Sequence, residues 1–343
     1  MLRNIISKVP TGALALAIIT TAGAARAQGP IVDDTLKDRS LATEVQPNGW
    51  KVGVSVGASA SFAHSHQVVG TEDGAYLQLG GVLGGNATLR HDQHEWENLL
   101  DLKLGGTKTP QIDAFVKSTD NFDFTSTYLY HLEEPKWLGA YGRLKVGFQL
   151  LDGQQIAAQP TELVRIRVNG DRINESVGAQ EQYDLTSSFE PLVLRETVGA
   201  FAAPFTAPEF TLNAKLGVGA QHILTRRGFV LADDPATPAL ELKQLDNTHE
   251  GGAEVTATAT GVLMPEVLSW RAGVDLFLPV ITTSDDDLGV GERLNAQLSA
   301  GLSLKLAKWL SLDYVVAAKR IPTILPDWQV TNNLLLTAGF QLL

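Results

Sequence analysis

The stretch from Trp96 to Leu151 reads WENLLDLKLGG (96–106), then DNFDFTSTYLY (120–130), a tight EEPK turn (133–136) and WLGAYGRLKVGFQLL (137–151). Every segment alternates. Trp96, Leu100, Leu102 and Leu104 fall on one side, with Glu95, Glu97, Asp101 and Lys103 on the other. Phe122, Phe124, Tyr128 and Tyr130 oppose Asn121, Asp123, Thr125 and Thr127, and Leu138, Leu144, Val146, Phe148 and Leu150 oppose Tyr141, Arg143, Lys145 and Gln149. A period of two is the mark of a β-strand. A sheet with one apolar and one charged face is either half of a soluble sandwich or the wall of a barrel with lipid outside and water inside.

Working outward decides for the barrel. The same alternation recurs over about Trp50–His64 and Tyr76–Arg90 before this stretch. After it come segments within Tyr183–Ala203, over Phe210–Leu224, up to Met264, and over Leu268–Pro279, Arg293–Leu306, Leu310–Lys319 and Gln329–Leu342. The connections alternate too. Long gaps at roughly 65–75, 108–117, 152–182, 229–250, 281–292 and 320–328 take turns with tight ones such as His91–His94, Glu133–Lys136 and Pro265–Val267. Long loops at one end and short turns at the other suit an outer-membrane barrel, whereas a sandwich has no reason to segregate them. The expectation is an all-β, closed antiparallel transmembrane β-barrel of about twelve strands, with long extracellular loops and short periplasmic turns. One segment tests the count. In ELVRIRV-NG-DRINESV, Asn169-Gly170 signals a type I′ hairpin, but Arg172–Ser176 offers no clean lipid face. The hairpin is therefore expected outside the membrane; inside the wall it would make fourteen strands. The strand within Tyr183–Ala203 is the least regular, because Pro191 interrupts it and Glu196 falls on the apolar side.

Tryptophan supplies an independent check. Trp50, Trp96, Trp137, Trp270 and Trp309 each open a strand, four of them just after a tight turn. In a closed barrel they share one height, where indole favours the headgroup boundary, and they read as a periplasmic aromatic girdle.

Composition agrees. Of 343 residues, 44% are hydrophobic and 19% charged, which is too polar for a helical membrane protein but fits strands that are polar on alternate residues. Cysteine is absent, which excludes disulfides, thiolate metal sites and a cysteine nucleophile. The N-terminus has a secretory form: Arg3 and Lys8, an apolar run from Ala13 to about Ala25, and Ala25-Arg26-Ala27. Expected boundaries are a signal peptide at 1–27 cleaved near Ala27-Gln28, a periplasmic leader at 28–49 and the barrel at 50–343, placed in a bacterial outer membrane. The net charge of −11 becomes 24 basic against 38 acidic residues once that segment is removed, which disfavours nucleic acid as a partner. The partners implied are outer-membrane lipid, the barrel-assembly machinery and small polar solutes; no cofactor is implied.

Candidate chemistry concentrates in the lumen. Asp101, Lys103, Asp123, Arg143 and Lys145 face inward on three neighbouring strands, and Lys215, Arg271, Asp275, Lys305 and Asp313 line the opposite wall. Charges shielded from lipid must be paired or wet. They form either a salt-bridge ladder that stiffens the bore or a polar passage that selects solutes. Elsewhere the signals are weak. His64-Ser65-His66 and the His91/His94 pair lack a matched third ligand, and Asp233-Asp234 and Asp285-Asp286-Asp287 do not have calcium-loop spacing. LGGVLGGN (79–86) lacks the lysine and the strand-to-helix context of a phosphate loop. No catalytic or metal residue is assigned, and an enzyme is not expected.

The segments WENLLDLKLGGTK, KSTDNFDFTSTYLY, KWLGAYGRLKVGF and SFEPLVLRETVGAF resemble a family of uncharacterised outer-membrane β-barrels. That family has a domain of unknown function and repeated W-x-N-x-L-x-L strands, and the likeness covers about residues 50–230. The resemblance implies a barrel in the outer membrane and transfers no activity. The expected function is a narrow passive channel or small-solute transport protein. The alternative is a non-conducting structural or surface-binding barrel that acts through its loops.

Overall fold

The computed structural model describes residues 48–65, 74–207, 209–232, 237–284 and 288–341. The expected signal and leader up to residue 47, His66, and the acidic pairs and triplets at 233–234 and 285–287 lie outside the described residues. Among the described residues there are eighteen strands: β1 (Gly49–Ser65), β2 (Gly74–His91), β3 (His94–Thr109), β4 (Ile112–His131), β5 (Leu138–Phe148), β6 (Gly153–Ile156), β7 (Thr161–Ile166), β8 (Arg172–Val177), β9 (Gln182–Thr186), β10 (Leu192–Ala207), β11 (Phe210–Leu224), β12 (Phe229–Leu231), β13 (Leu240–Gln244), β14 (Thr248–Met264), β15 (Leu268–Thr282), β16 (Asn295–Ala307), β17 (Leu310–Ile321) and β18 (Leu325–Gln341). Twelve of them close a barrel in the order β1-β18-β17-β16-β15-β14-β11-β10-β5-β4-β3-β2. All its pairings are antiparallel, and β1 closes the ring on β18 through pairs such as Val56↔Ala338.

Burial in this barrel is inverted relative to a water-soluble fold. Val198, Leu216 and Val218 are 62–63% exposed, while Gln221 and Glu254 are 0% and Lys215 2% exposed. A surface this apolar around an interior this charged is stable only with lipid outside. Alternation along each strand produces the arrangement. On β5 the sequence LGAYGRLKVGF buries Tyr141, Arg143 and Lys145 and turns Leu144 outward. Slipping one residue would put Arg143 and Lys145 in lipid, so the register is strongly specified.

The irregular stretch resolves differently from its sequence reading. What looked like one strand within Tyr183–Ala203 is two: β9 pairs with β6 outside the wall, and β10 enters the barrel only at Leu192, after Pro191. A proline has no N–H to give a ladder, so the strand begins beyond it. Glu196 does face outward. His222 Nε2 lies 3.4 Å from its carboxylate, and the Nδ1 atoms of His222 and His249 are 2.8 Å apart. This polar patch lies near the long-loop ends of β10, β11 and β14, toward the headgroups.

Residues 149–191, 225–232 and 237–247 build a packed cap over the long-loop end. One sheet has the order β12-β13-β7-β8, with β13 and β7 parallel, and β6 and β9 form a second. Ala157, Leu163, Val177, Tyr183, Leu185 and Leu242 make its core, with Phe229, Leu231 and Leu240 packed against it. The 161–177 hairpin thus stays out of the wall, and the count is twelve. Its turn is not type I′. Only Gly170, at φ 85°, is left-handed, and Gly170 N–H donates to Arg167 O while Arg167 N–H donates to Asp171 O. That is a type I turn closed by a left-handed glycine. Arg165 pairs with Glu175 at 2.8 Å, and Arg172 pairs with Glu241. The cap is tied to the barrel through Asp120 on β4, which accepts the backbone N–H groups of Leu150 and Leu151. The buried Glu190 accepts those of Ser187, Arg226 and Arg227.

Candidate functional site

The lumen is layered. Next to the short turns, Leu129, Tyr141 and Phe201 pack into an apolar cluster inside the bore. His131 lies edge-on to Phe201 at 5.0 Å, with its Nε2 3.1 Å from Glu95.

Beyond that cluster lies a buried ion network. Arg143 on β5 pairs with Glu254 on β14, and Lys145 on β5 pairs with Asp275 on β15. Arg195 on β10 sits between them, 2.9 Å from Asp275 and 3.6 Å from Glu254, and also donates to Gln221. Tyr141 donates to Glu254 at 3.1 Å. Arg195 lies over the ring of Phe277 at 4.8 Å, a favourable cation–π contact. Gln221 and Asn295 then donate to Glu250. Three cations facing two carboxylates, each with further hydrogen bonds, meet the condition under which buried charge is tolerated.

Glycine opens the path. Arg143 faces Thr197 across the β5–β10 ladder, and the inward positions next to it on β10 and β11 are Gly199, Gly217 and Gly219. A Cβ on Gly217 would come within 2.5 Å of the Tyr141 hydroxyl. A strand glycine here permits the close approach of side chains from a neighbouring strand.

The structure brings together some of the charges singled out by alternation and separates others. Arg143, Lys145 and Asp275 belong to the network. Asp123 accepts from Asn121 and borders the cavity beside Lys145. Asp101 and Lys103 pair with each other at 3.0 Å on β3. Lys215 is buried between β10 and β14, opposite Phe201 and Thr256. Arg271 and Asp313 sit nearer the short turns, Asp313 accepting from Ser311 at 2.8 Å, and Lys305 is exposed at the short-turn mouth. Sequence reading missed Arg195 and did not single out Glu254. Arg195 was hidden by the outward Glu196 beside it, although Leu194 and Val198 fix the side on which Arg195 stands.

Trp50, Trp96, Trp137 and Trp309 are about half-exposed on the outside of the short-turn end. Trp50 packs on Trp96 at 6.3 Å, and Phe210 packs on Trp270 at 6.2 Å. Trp328, near the opposite end of β18, is also exposed.

Among solved structures, the chain is similar to an outer membrane channel from Pseudomonas putida F1, at 11% identity over 87% of this chain and 97% of that one, with a TM-score of 0.38. It is also similar to the translocator domain of the autotransporter NalP from Neisseria meningitidis, at 9% identity over 88% and 91%, TM-score 0.41. A third is the outer membrane channel DcaP of Acinetobacter baumannii, at 9% identity over 88% and 100%, TM-score 0.31. These likenesses are too distant to carry a function across. No curated protein matches the chain. A family described as "Protein of unknown function (DUF3078)" matches residues 72–153, which run from β2 through β5 and contain the stretch whose alternation first indicated a barrel.

Proposed function

We propose that this barrel sits in a bacterial outer membrane, with the cap outside and the short turns in the periplasm, and acts as a narrow passive channel for small polar solutes. Its N-terminal segment, with a cleavage site near Ala27-Gln28, supports export, and the half-exposed tryptophans support a periplasmic boundary at the short turns. Lipid and the barrel-assembly machinery are then its necessary partners.

One observation carries the channel reading. Inward residues of β1, β2 and the upper part of β3, among them Ser55, Ser59, Gly80, Gly84, Asp101 and Lys103, are half-buried, so solvent reaches them. Around the rest of the wall, Thr125, Thr127, Arg143, Glu254, Asp275 and Ser299 are buried. Twelve strands lie between the eight that side chains fill and the sixteen that leave an aqueous channel. Small residues on one wall therefore leave a wet lane, while the ion network fills the other wall. Asp101 and Lys103 border the lane with opposite charges, which gives weak ion preference. Planar-bilayer recording of the purified barrel tests this reading. Small, ohmic steps are expected, and a silent bilayer containing correctly folded protein would overturn it.

A second reading has its own support. The long loops are folded around a hydrophobic core, which suits a surface that binds a partner without conduction.

A further inference from the structure

Phe189 is held where a bulky side chain is rarely found. Its φ of 67° lies in the left-handed region, an outlier for a residue of this size. Its N–H donates to Gln149 O at 2.7 Å, and Ser188 before it is fastened to Asp152 through both its N–H and its hydroxyl. The ring so placed is 57% exposed. It packs on Phe148 at 5.3 Å, and Phe148 stacks on Phe122, its register partner, at 4.5 Å. Phe122 and Phe148 face outward near the long-loop ends of β4 and β5, so the three rings continue the lipid-facing wall up to the edge of the cap. Glu190, the next residue, is buried and accepts the N–H groups of Arg226 and Arg227. Both arginines are exposed, and among the described residues neither guanidinium has an ion pair.

We propose that this rim binds an anionic, phosphate-bearing lipid in the leaflet on the cap side, with an acyl chain along Phe122, Phe148 and Phe189 and the phosphate against Arg226 and Arg227. A strained backbone that presents a phenyl ring to water is unfavourable twice over, whereas at the edge of a bilayer the ring meets the boundary that aromatic side chains favour. Continuity with the outward Phe122 and Phe148 places that boundary at Phe189. One residue ties ring and cations together: Glu190 follows Phe189 in the chain, and its carboxylate holds the backbone of both arginines. Since that carboxylate also accepts the Ser187 N–H, its oxygens are directed at backbone and leave the guanidinium groups to a ligand. Arginine meets phosphate through its forked donors, and two such cations favour a headgroup with net negative charge over a zwitterionic one. The site requires the barrel to lie in lipid and does not depend on whether it conducts.

The test is native mass spectrometry of the full barrel, incubated in detergent with dioleoyl phosphatidate or dioleoyl phosphatidylcholine. The parental protein should retain phosphatidate on the order of tenfold more tightly than phosphatidylcholine. The double variant Arg226→Gln/Arg227→Gln should retain the two lipids equally. Phe189→Gly, which suits the left-handed backbone and so removes the ring without new strain, should weaken retention of both lipids and keep the preference. Excess inorganic phosphate should not displace the lipid. No preference in the parental protein would overturn the proposal, as would a preference that survives loss of both arginines, unchanged retention in Phe189→Gly, or displacement by free phosphate. A second arm reads position in the membrane. A nitroxide on Phe189→Cys, in phosphatidylcholine vesicles, should collide more with oxygen than with a water-soluble nickel chelate; the reverse would place the residue in water and overturn the site. Neither arm reads conduction. A silent barrel that shows the preference keeps this site and loses the channel, and a conducting barrel without it does the reverse.

Discussion

Arg143 on β5 donates to Glu254 on β14 over the two strands, β10 and β11, that lie between them. Gly199, Gly217 and Gly219 ease that reach, since Thr197 is the one inward side chain among the four positions between them on β10 and β11. Charge and glycine thus act together: bare positions on β10 and β11 let Arg143 reach the acid on β14, which Arg195 on β10 also approaches, at 3.6 Å. Adding a side chain at Gly217 would push it into the Tyr141 hydroxyl and the Val198 carbonyl, each 2.5 Å from the new Cβ.

The network should respond asymmetrically to substitution. Glu254→Gln leaves Arg143 and Arg195 with Asp275 as the remaining carboxylate, and removing one partner of a buried pair costs about 3–5 kcal/mol. Combining it with Arg143→Met should cost much less than the sum of the two single changes, because neither charge is then stranded. Urea unfolding of the four proteins measures the coupling; simple additivity would mean that Arg143 and Glu254 do not act as a pair.

Inward and outward faces should differ sharply. Leu144 points outward at mid-strand, and arginine there would place a cation in the hydrocarbon at a cost of about 2–4 kcal/mol. Gln78 points inward from β2 and is exposed to the lumen, so Gln78→Arg should assemble at close to parental levels. Heat-modifiable migration on gels reads assembly of each variant. Comparable loss in both would contradict the assignment of sides.

The cap should loosen in acid. Asp152 accepts from the Ser188 hydroxyl at 2.7 Å and the Ser188 N–H at 2.6 Å, and these two bonds hold its carboxyl below the usual carboxylate range. A depressed carboxyl contributes stability that is present above its unfolded value, near 3.8, and is lost as pH falls through the folded value. Pepsin cleavage of the cap should therefore rise as pH drops below about 3.8. In Asp152→Asn it should already be elevated at higher pH and change less. A cleavage profile identical in the two proteins would separate this contact from cap stability.

Alternation alone made the twelve-strand wall legible, since a strand with lipid on one side and charge on the other has no freedom of register. Leu100, Asp101, Leu102 and Lys103 announce their sides individually. What remained hidden depends on contacts between distant segments. The pairing of β13 with β7 joins residues about 77 apart, Leu240 with Leu163, in parallel, and neither strand alone shows why it needs the other. Pairing of the lumen charges was hidden for a related reason. Periodicity says that Arg143 faces inward, but its partner is chosen by closure of the ring, which the local sequence does not record.

The lane itself can be probed chemically, because the chain has no cysteine and any introduced thiol reports alone. Ser55 and Gly84 are register partners on β1 and β2, inward and half-buried, with the Ser55 hydroxyl 2.6 Å from where a Gly84 Cβ would stand. Thr127 on β4 is equally inward but only 2% exposed. If water runs along β1 and β2, Ser55→Cys should react readily with a small charged thiol reagent, and Thr127→Cys should react far more slowly. Ser55→Cys should also reduce conductance once labelled, since the label stands in the lane. Equal protection of both thiols would mean that the bore is filled on every side, leaving the non-conducting reading; rapid labelling without a change in conductance would place the ion path away from β1 and β2.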